Sequence, residues 1–229
     1  MSKKKIVVLT GAGISAESGL KTFRDSNGLW EGHDVMEVAT PQGWEANMKL
    51  VLQFYNARRK QLLEVKPNEA HKALVDLEEK YHVAIITQNV DDLHERAGST
   101  NIIHLHGELL KVRSTLDDKL ILDWKDDLNE GDMCKFNHQL RPHIVWFGEA
   151  VPLLDNAAVL VSEADIIIII GTSMQVYPAA GLIDYSQRDA QVYFIDPHPS
   201  IKAQKNLEVI AAKATTGVSQ LVERLLKES

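Results

Sequence analysis

A single cysteine, Cys134, stands in a chain of 229 residues. That excludes an intramolecular disulfide and any metal site needing several thiolates from this chain. Long apolar runs are missing as well. The longest, Ile166 to Ile170, is far shorter than the roughly 20 residues that span a bilayer. The IVVL run behind Lys3, Lys4 and Lys5 is too short for the core of a signal peptide. Positive charge is in deficit, the formal net charge being −7, so no global basic field recruits nucleic acid or an anionic membrane. These absences lead to the expectation of a reduced, cytoplasmic protein with neither nucleic acid nor membrane as partner.

What is present is a hydrophobic fraction of 45%, ordinary for a packed globular protein. Four short apolar runs rich in β-branched residues predict buried parallel strands, at Ile6–Leu9, Val83–Thr87, Ile166–Ile170 and Val192–Ile195. Weaker strand signals lie at Ile102–His104 and Leu207–Ile210. Helical patterns fall between them at Glu69–Lys80, Leu153–Glu163 and Val218–Lys227. Alternation of this kind predicts an α/β fold, a doubly wound, Rossmann-like parallel sheet. The stretches 21–67 and 108–141 interrupt it and are read as insertions that form a smaller lobe of one domain spanning 1–229.

The chemistry-bearing motifs sit at predicted strand ends. Gly11, Gly13 and Ala16 fit G-x-G-x-x-A directly after a strand, a turn that predicts a helix aimed at a pyrophosphate or serves close packing alone. The acidic residue that a dehydrogenase carries some 20 residues later does not follow a second strand here. Instead VAIIT ends in Gln88-Asn89-Val90-Asp91, whose side chains suit a ligand at a strand's carboxyl end or the capping of DLHERAG. In IIHLHGE, His104 and His106 share one strand face, so a metal pair is conceivable, although no further ligands follow at a recognisable spacing. His106, at a strand end before Gly107, suits an imidazole that titrates near neutrality. Gly171-Thr172-Ser173 ends the polyisoleucine strand. Asp196-Pro197 ends VYFI, where a carboxylate would accept ribose hydroxyls or simply open a helix. Several independent turns thus converge on one edge of one sheet.

Taken in order, GAGISAESG, TFRDSNGLW, TQNVDDLHERAG, HLHGE, RPHIVWFGE and GTSMQVYPAA resemble the sirtuins, NAD-dependent protein lysine deacylases, from about Val7 to Val176. The resemblance implies that NAD is a consumed co-substrate. The acyl-lysine oxygen attacks its ribose, nicotinamide leaves, and the acyl group ends on ADP-ribose. It implies a first loop of Gly11, Ala12, Gly13, Ile14, Ser15 and Ala16 that lines the cofactor, closed over by Phe23, Arg24 and Trp30. Gln88, Asn89, Val90 and Asp91 would hold the nicotinamide ribose and carboxamide. Gly171, Thr172, Ser173, Asp196 and Pro197 would take the adenosine side. His106 matches the catalytic general base, with Asn89 beside it. Val145, Phe147, Gly148 and Glu149 would form a strand-like edge for the substrate backbone.

Tyr55 and Arg58, three apart on a helix expected at Glu45–Leu63, would pass on their own for a surface pair. In the sirtuin frame they match the closed end of the acyl pocket of the desuccinylase and demalonylase branch. There a guanidinium and a phenol would accept a terminal carboxylate from succinyl- or malonyl-lysine. The chain also departs from the family. Most sirtuins carry two Cys-x-x-Cys pairs that bind zinc, whereas here Ser114 stands near the first pair and only Cys134 remains, so no zinc is expected. The small lobe would hold together by packing of Leu116, Leu120, Ile121, Leu122 and Trp124. Lys21 and Asp196 replace the usual proline and asparagine. Competing readings are a dehydrogenase, a non-catalytic NAD or ADP-ribose sensor, and an NAD hydrolase or ADP-ribosyltransferase.

Overall fold

The computed structural model describes residues 3–21, 29–199 and 201–228. Phe23 and Arg24 lie outside the described residues.

The chain opens with β1 (Lys5–Thr10), followed by a short hairpin, β2 (Leu29–Trp30) and β3 (His33–Asp34). Glu31 and Gly32 between them both have positive φ, 52° and 84°, the geometry that lets a two-residue turn follow strand twist. Three helices come next, α1 (Val35–Val38), α2 (Pro41–Ala46) and α3 (Met48–Glu64). Thr40 caps α2, with Pro41 at its first turn, and Asn47 caps α3 through the Leu50 N–H. The cap at Asn47 splits the helix expected from Glu45 into two. Then follow α4 (Glu69–Asp76), β4 (His82–Thr87), α5 (Leu93–Ala97), β5 (Ile102–His104), β6 (Gly107–Ser114), β7 (Ile121–Asp123) and β8 (Leu140–Ile144). The chain finishes with α6 (Leu154–Ser162), β9 (Ile166–Ile170), β10 (Gln191–Ile195), β11 (Leu207–Ile210) and α7 (Ala214–Glu228).

Six strands form one parallel sheet in the order β11-β10-β9-β1-β4-β5. Its strands are apolar at consecutive positions because both faces are covered. Ile6, Val8, Ile85, Ile168 and Ile170 face α4 and α7. Val7, Leu9, Ile86, Ile167 and Ile169 face α6 and a 3-10 segment at Ala179–Tyr185. The sheet is therefore doubly wound, and its strand order reverses at β1. An open α/β sheet offers its ligand crevice at such a reversal, outside the carboxyl ends of the strands. Among the described residues no helix is long and apolar enough to cross a membrane.

The helix expected after the glycine turn is absent. Ala12–Ile14 and Ala16–Ser18 form two single 3-10 turns, the second closed by Gly19 at φ 103°. The Gly13 N–H donates to the Gly171 carbonyl at 2.9 Å, so the turn is tied to the neighbouring loop and no longer helix propagates. A Cβ at Gly13 would lie 2.5 Å from the Gly171 Cα, and one at Gly11 would lie 2.8 Å from the Gly171 oxygen. Both glycines therefore let two backbones touch.

β7, β6 and β8 form a separate three-stranded antiparallel sheet. Its interior is Val112, Leu128, Cys134 and Leu140 against Leu52 of α3, with Leu120 and Trp124 alongside. Leu116, Ile121 and Leu122 were expected inside and are exposed. Inward and outward positions of so small a sheet follow from its seat on α3, which the local pattern does not encode.

Candidate active site

The loops after β1, β4 and β9 meet at the sheet's reversal point. Gln88 follows β4 directly and donates from its amide to Thr172 Oγ1 at 3.2 Å, linking the second and third loops. Asn89 is buried and donates to Ser15 Oγ at 3.2 Å, while the Ser15 hydroxyl donates to Asp91 Oδ2 at 2.9 Å. The other Asp91 oxygen accepts the Leu93 N–H at 3.2 Å. Burial pushes the Asp91 carboxyl up to about 6, against the pull of those two donors. The Asp91 side chain thus forms a turn onto the first residue of α5, whose N-cap position is Asp92. Beneath it Thr10 and Thr87 share a hydrogen bond at 2.8 Å, and Thr10 meets His94 Nε2 at 3.1 Å.

His106 lies at the turn between β5 and β6. Its Nδ1 is 3.0 Å from the Gln88 carbonyl, an acceptor only, so Nδ1 carries the proton. In a neutral ring the lone pair then sits on Nε2. Burial holds the His106 pKa below the usual histidine range, with the Gln88 carbonyl pulling the other way. A neutral imidazole with a basic Nε2 beside a buried amide, hydroxyl and carboxylate can take a proton from a sugar hydroxyl. His104 sits two residues earlier with its Nδ1 on the Asn89 carbonyl and its Nε2 on Glu95. Among the described residues no group of three or more His, Cys, Asp or Glu side chains could hold a metal ion.

Gly171, at φ 59°, carries the third loop, and Thr172 Oγ1 also accepts the Met174 N–H. Ser173 follows on the same loop, and Pro197 follows Asp196 at the end of β10. Asp196 is buried, and its Oδ1 accepts the His198 N–H at 2.9 Å, the turn-forming role.

The segment after β8 differs from the extended edge expected at Val145–Glu149. The strand stops at Ile144 and a turn follows, with Gly148 at φ 89°. The Val145 N–H donates to the His106 carbonyl and the Phe147 N–H to the Ala39 carbonyl, both at 2.9 Å. Glu149 turns inward. Its carboxylate accepts from Arg113, from both terminal nitrogens of Arg141 and from the Trp146 N–H, and the two arginines hold its pKa down against burial. Arg141 in turn lies over the Trp146 ring, 3.3 Å from its centroid. These arginines lie in β8 and β6, and no local spacing marks their shared partner.

Tyr55 and Arg58 lie on α3 beside Trp30, whose ring centroid is 4.9 Å from Phe54 and 6.1 Å from Tyr55. Tyr55 is fully buried, and its hydroxyl oxygen accepts the Trp146 indole N–H at 3.0 Å. Burial holds its hydroxyl proton on far beyond the usual range. Arg58 reaches toward Glu31 at 4.0 Å and over Phe54, and its buried Nε has no hydrogen-bond partner among the described residues.

Comparison with known proteins agrees with this arrangement. Residues 11–178 match the Sir2 family. An NAD-dependent protein deacylase of Helicobacter pylori is 59% identical over 225 residues, covering 98% of each chain. A crystal structure of a Sir2 homolog–NAD complex superposes with a TM-score of 0.86 at 39% identity, over 99% of this chain and 91% of that one. A Sir2 bound to acetylated peptide gives 0.77 at 31% identity, over 99% and 93%. Sequence, fold and the meeting of three loops at one sheet edge agree, and the chain belongs to the Sir2 family.

Proposed function

We propose that the chain is an NAD-dependent protein lysine deacylase that consumes NAD and passes the acyl group from lysine to ADP-ribose. The observation that carries this reading is the His106 ring, neutral, with Nε2 as its basic atom, next to the Asn89–Ser15–Asp91 cluster. The residues suit NAD, since two glycine backbones in contact leave a floor without side chains, and a buried amide, hydroxyl and carboxylate stand at its edge. NAD when bound supplies a ribose carbon that becomes electrophilic as nicotinamide departs. Asn89, Ser15 and Asp91 then orient the ribose end, Gln88 and Thr172 tie the loops that flank it, and His106 Nε2 takes the proton of a ribose hydroxyl. Gly11 to Ala16 and Gly171 to Ser173 would carry the phosphates and adenosine, with Asp196 and Pro197 beyond. Val145, Phe147 and Gly148 would border the substrate lysine, and Glu149 would hold that border through Arg113 and Arg141.

The acyl group this reading favours is dicarboxylic, succinyl or malonyl. An indole nitrogen only donates, so the Tyr55 oxygen must accept from Trp146 and its own proton points elsewhere. No acceptor for that proton lies among the described residues, and the Arg58 Nε three residues on is unpartnered too. Two buried donors one helical turn apart suit one terminal carboxylate.

The test follows nicotinamide release from NAD with no peptide, with acetyl-lysine peptide and with succinyl-lysine peptide. Release that depends on either peptide is expected, with succinyl-lysine rivalling or exceeding acetyl-lysine. Peptide-independent release would make the chain an NAD hydrolase, and absence of release despite NAD binding would make it a sensor. Turnover of acetyl-lysine alone would remove the dicarboxylic assignment.

A further inference from the structure

His106 has a companion two residues earlier, at the end of β5, whose two partners define its charge. His104 Nε2 lies 2.6 Å from Glu95 Oε1, and its Nδ1 lies 3.2 Å from the Asn89 carbonyl. A carboxylate and a peptide carbonyl only accept hydrogen bonds. Both contacts are therefore satisfied together only when both ring nitrogens carry protons. His106, two residues later, donates through Nδ1 to the Gln88 carbonyl and leaves Nε2 bare. Successive carbonyls of the Gln88–Asp91 loop are thus held by His104 at the end of β5 and by His106 in the turn that follows, one charged and one neutral. We propose that His104 is a positioning residue, an imidazolium anchored on Glu95 that fixes the Asn89 peptide and so holds the Asn89 side chain against Ser15 for turnover.

The surroundings fit a charged ring. Its side chain is only 9% exposed, while that of Glu95 is 40% exposed, so the clamp is open to protons from the α5 side. Burial works against the charge, but the Glu95 carboxylate outweighs it, with Glu108 and the Asn89 carbonyl adding to the same effect, and the pKa is raised. The charged and titratable groups that face His104 come from three directions. Glu95 and His94 belong to α5, Asp91 to the loop, and Glu108 to β6, where it is paired with Lys111 at 2.9 Å. The His104 charge favours ionised Asp91, the acceptor of the Ser15 hydroxyl. Losing one His104 proton would leave either the Glu95 carboxylate or the Asn89 carbonyl without a donor and would weaken the ionisation of Asp91 at the far end of the loop.

This inference rests on the loop being the reaction centre, and its test separates the two. In the full chain, nitrogen-15 NMR of the imidazoles reads the state of His104 without turnover. Both ring nitrogens are expected protonated at neutral pH, and Glu95→Gln is expected to lower the pKa. A neutral His104 ring at pH 7 would overturn the proposal. In the second arm, kcat against pH is compared for the protein and Glu95→Gln, with acyl-peptide and NAD at saturation. The alkaline limb is expected to move to lower pH in Glu95→Gln, and His104→Gln is expected to lose about three- to tenfold in kcat at neutral pH and to lack that limb. A merely structural His104 would lower kcat alike at every pH. Superimposable normalised profiles for the protein and Glu95→Gln would overturn the positioning role even with a charged ring.

Discussion

Under the proposed function, His106 would move the proton and Arg58 would meet the acyl group. His106→Ala removes a neutral imidazole whose Nδ1 holds the Gln88 carbonyl and whose Nε2 is left as the basic atom, so the variant is expected to bind NAD and to lose deacylation by about 10²-fold or more. Isothermal titration with NAD and a peptide turnover assay check both halves, and near-normal turnover would remove the general-base role. Arg58→Met keeps the stem over Phe54 and deletes the cation. It is expected to cost desuccinylation about 2–4 kcal/mol in kcat/KM and to spare deacetylation. Equal losses on both peptides would make Arg58 structural. The strand face that His104 and His106 were expected to share is not formed, because β5 ends at His104 and His106 lies in the turn before β6. The partners of His104, Tyr55 and Glu149 were not legible, since Tyr55 meets a tryptophan 91 positions away and no local spacing encodes that contact.

Among the elements, the inner strands β1, β4 and β9 were legible because each is short, β-branched and buried on both faces, the part-buried edges β5 and β11 gave the weaker signals, and all six expected segments fall on observed strands. The turn after β1 was misread as a helix because the partner of the Gly13 N–H lies across the sheet, after β9. The three-stranded sheet β7-β6-β8 escaped the sequence reading altogether, and of the five residues expected to pack there Leu120 and Trp124 do so while Leu116, Ile121 and Leu122 face solvent. In this sheet Ser114 Oγ and Cys134 Sγ meet at 3.2 Å, and Cys134 packs with Val112, Leu128 and Leu140. One thiol and one hydroxyl do not make the tetrahedral site of a structural zinc. The purified protein is therefore expected to carry no stoichiometric zinc, and a chelator to leave its Tm unchanged. Elemental analysis finding one tightly held zinc per chain would refute this.

For the whole molecule the acid side of the stability curve is set by groups buried under the site. His71 and His94 are fully buried with ring centroids 4.9 Å apart, and His71 Nε2 and His94 Nδ1 have no hydrogen-bond partner among the described residues. Burial lowers the His71 pKa to about 4 and that of His94 well below the usual range. The unfolded chain therefore takes up these protons first, so their contribution is complete above about pH 6.5 and is lost as pH falls toward about 4. Asp91 runs the other way, because its folded pKa of about 6 exceeds the unfolded value and the folded form gains its proton first. Two histidines outweigh one carboxylate, and stability is expected to fall by roughly 2–3 kcal/mol between pH 6 and 4. Urea unfolding of the protein and of His71→Gln at both pH values checks this, the variant losing less. Equal losses would assign the acid sensitivity to the ion-paired carboxylates. The central place of β1 has a consequence for synthesis. Ile6 aligns with Ile166, so the first strand made waits for the far flank of its own sheet. At roughly 5–20 residues per second a ribosome needs about 10–30 seconds to supply that flank. Throughout that interval the nascent IVVL ribbon has one unzipped side, so a product terminated before β9 is expected to aggregate more readily than the full chain.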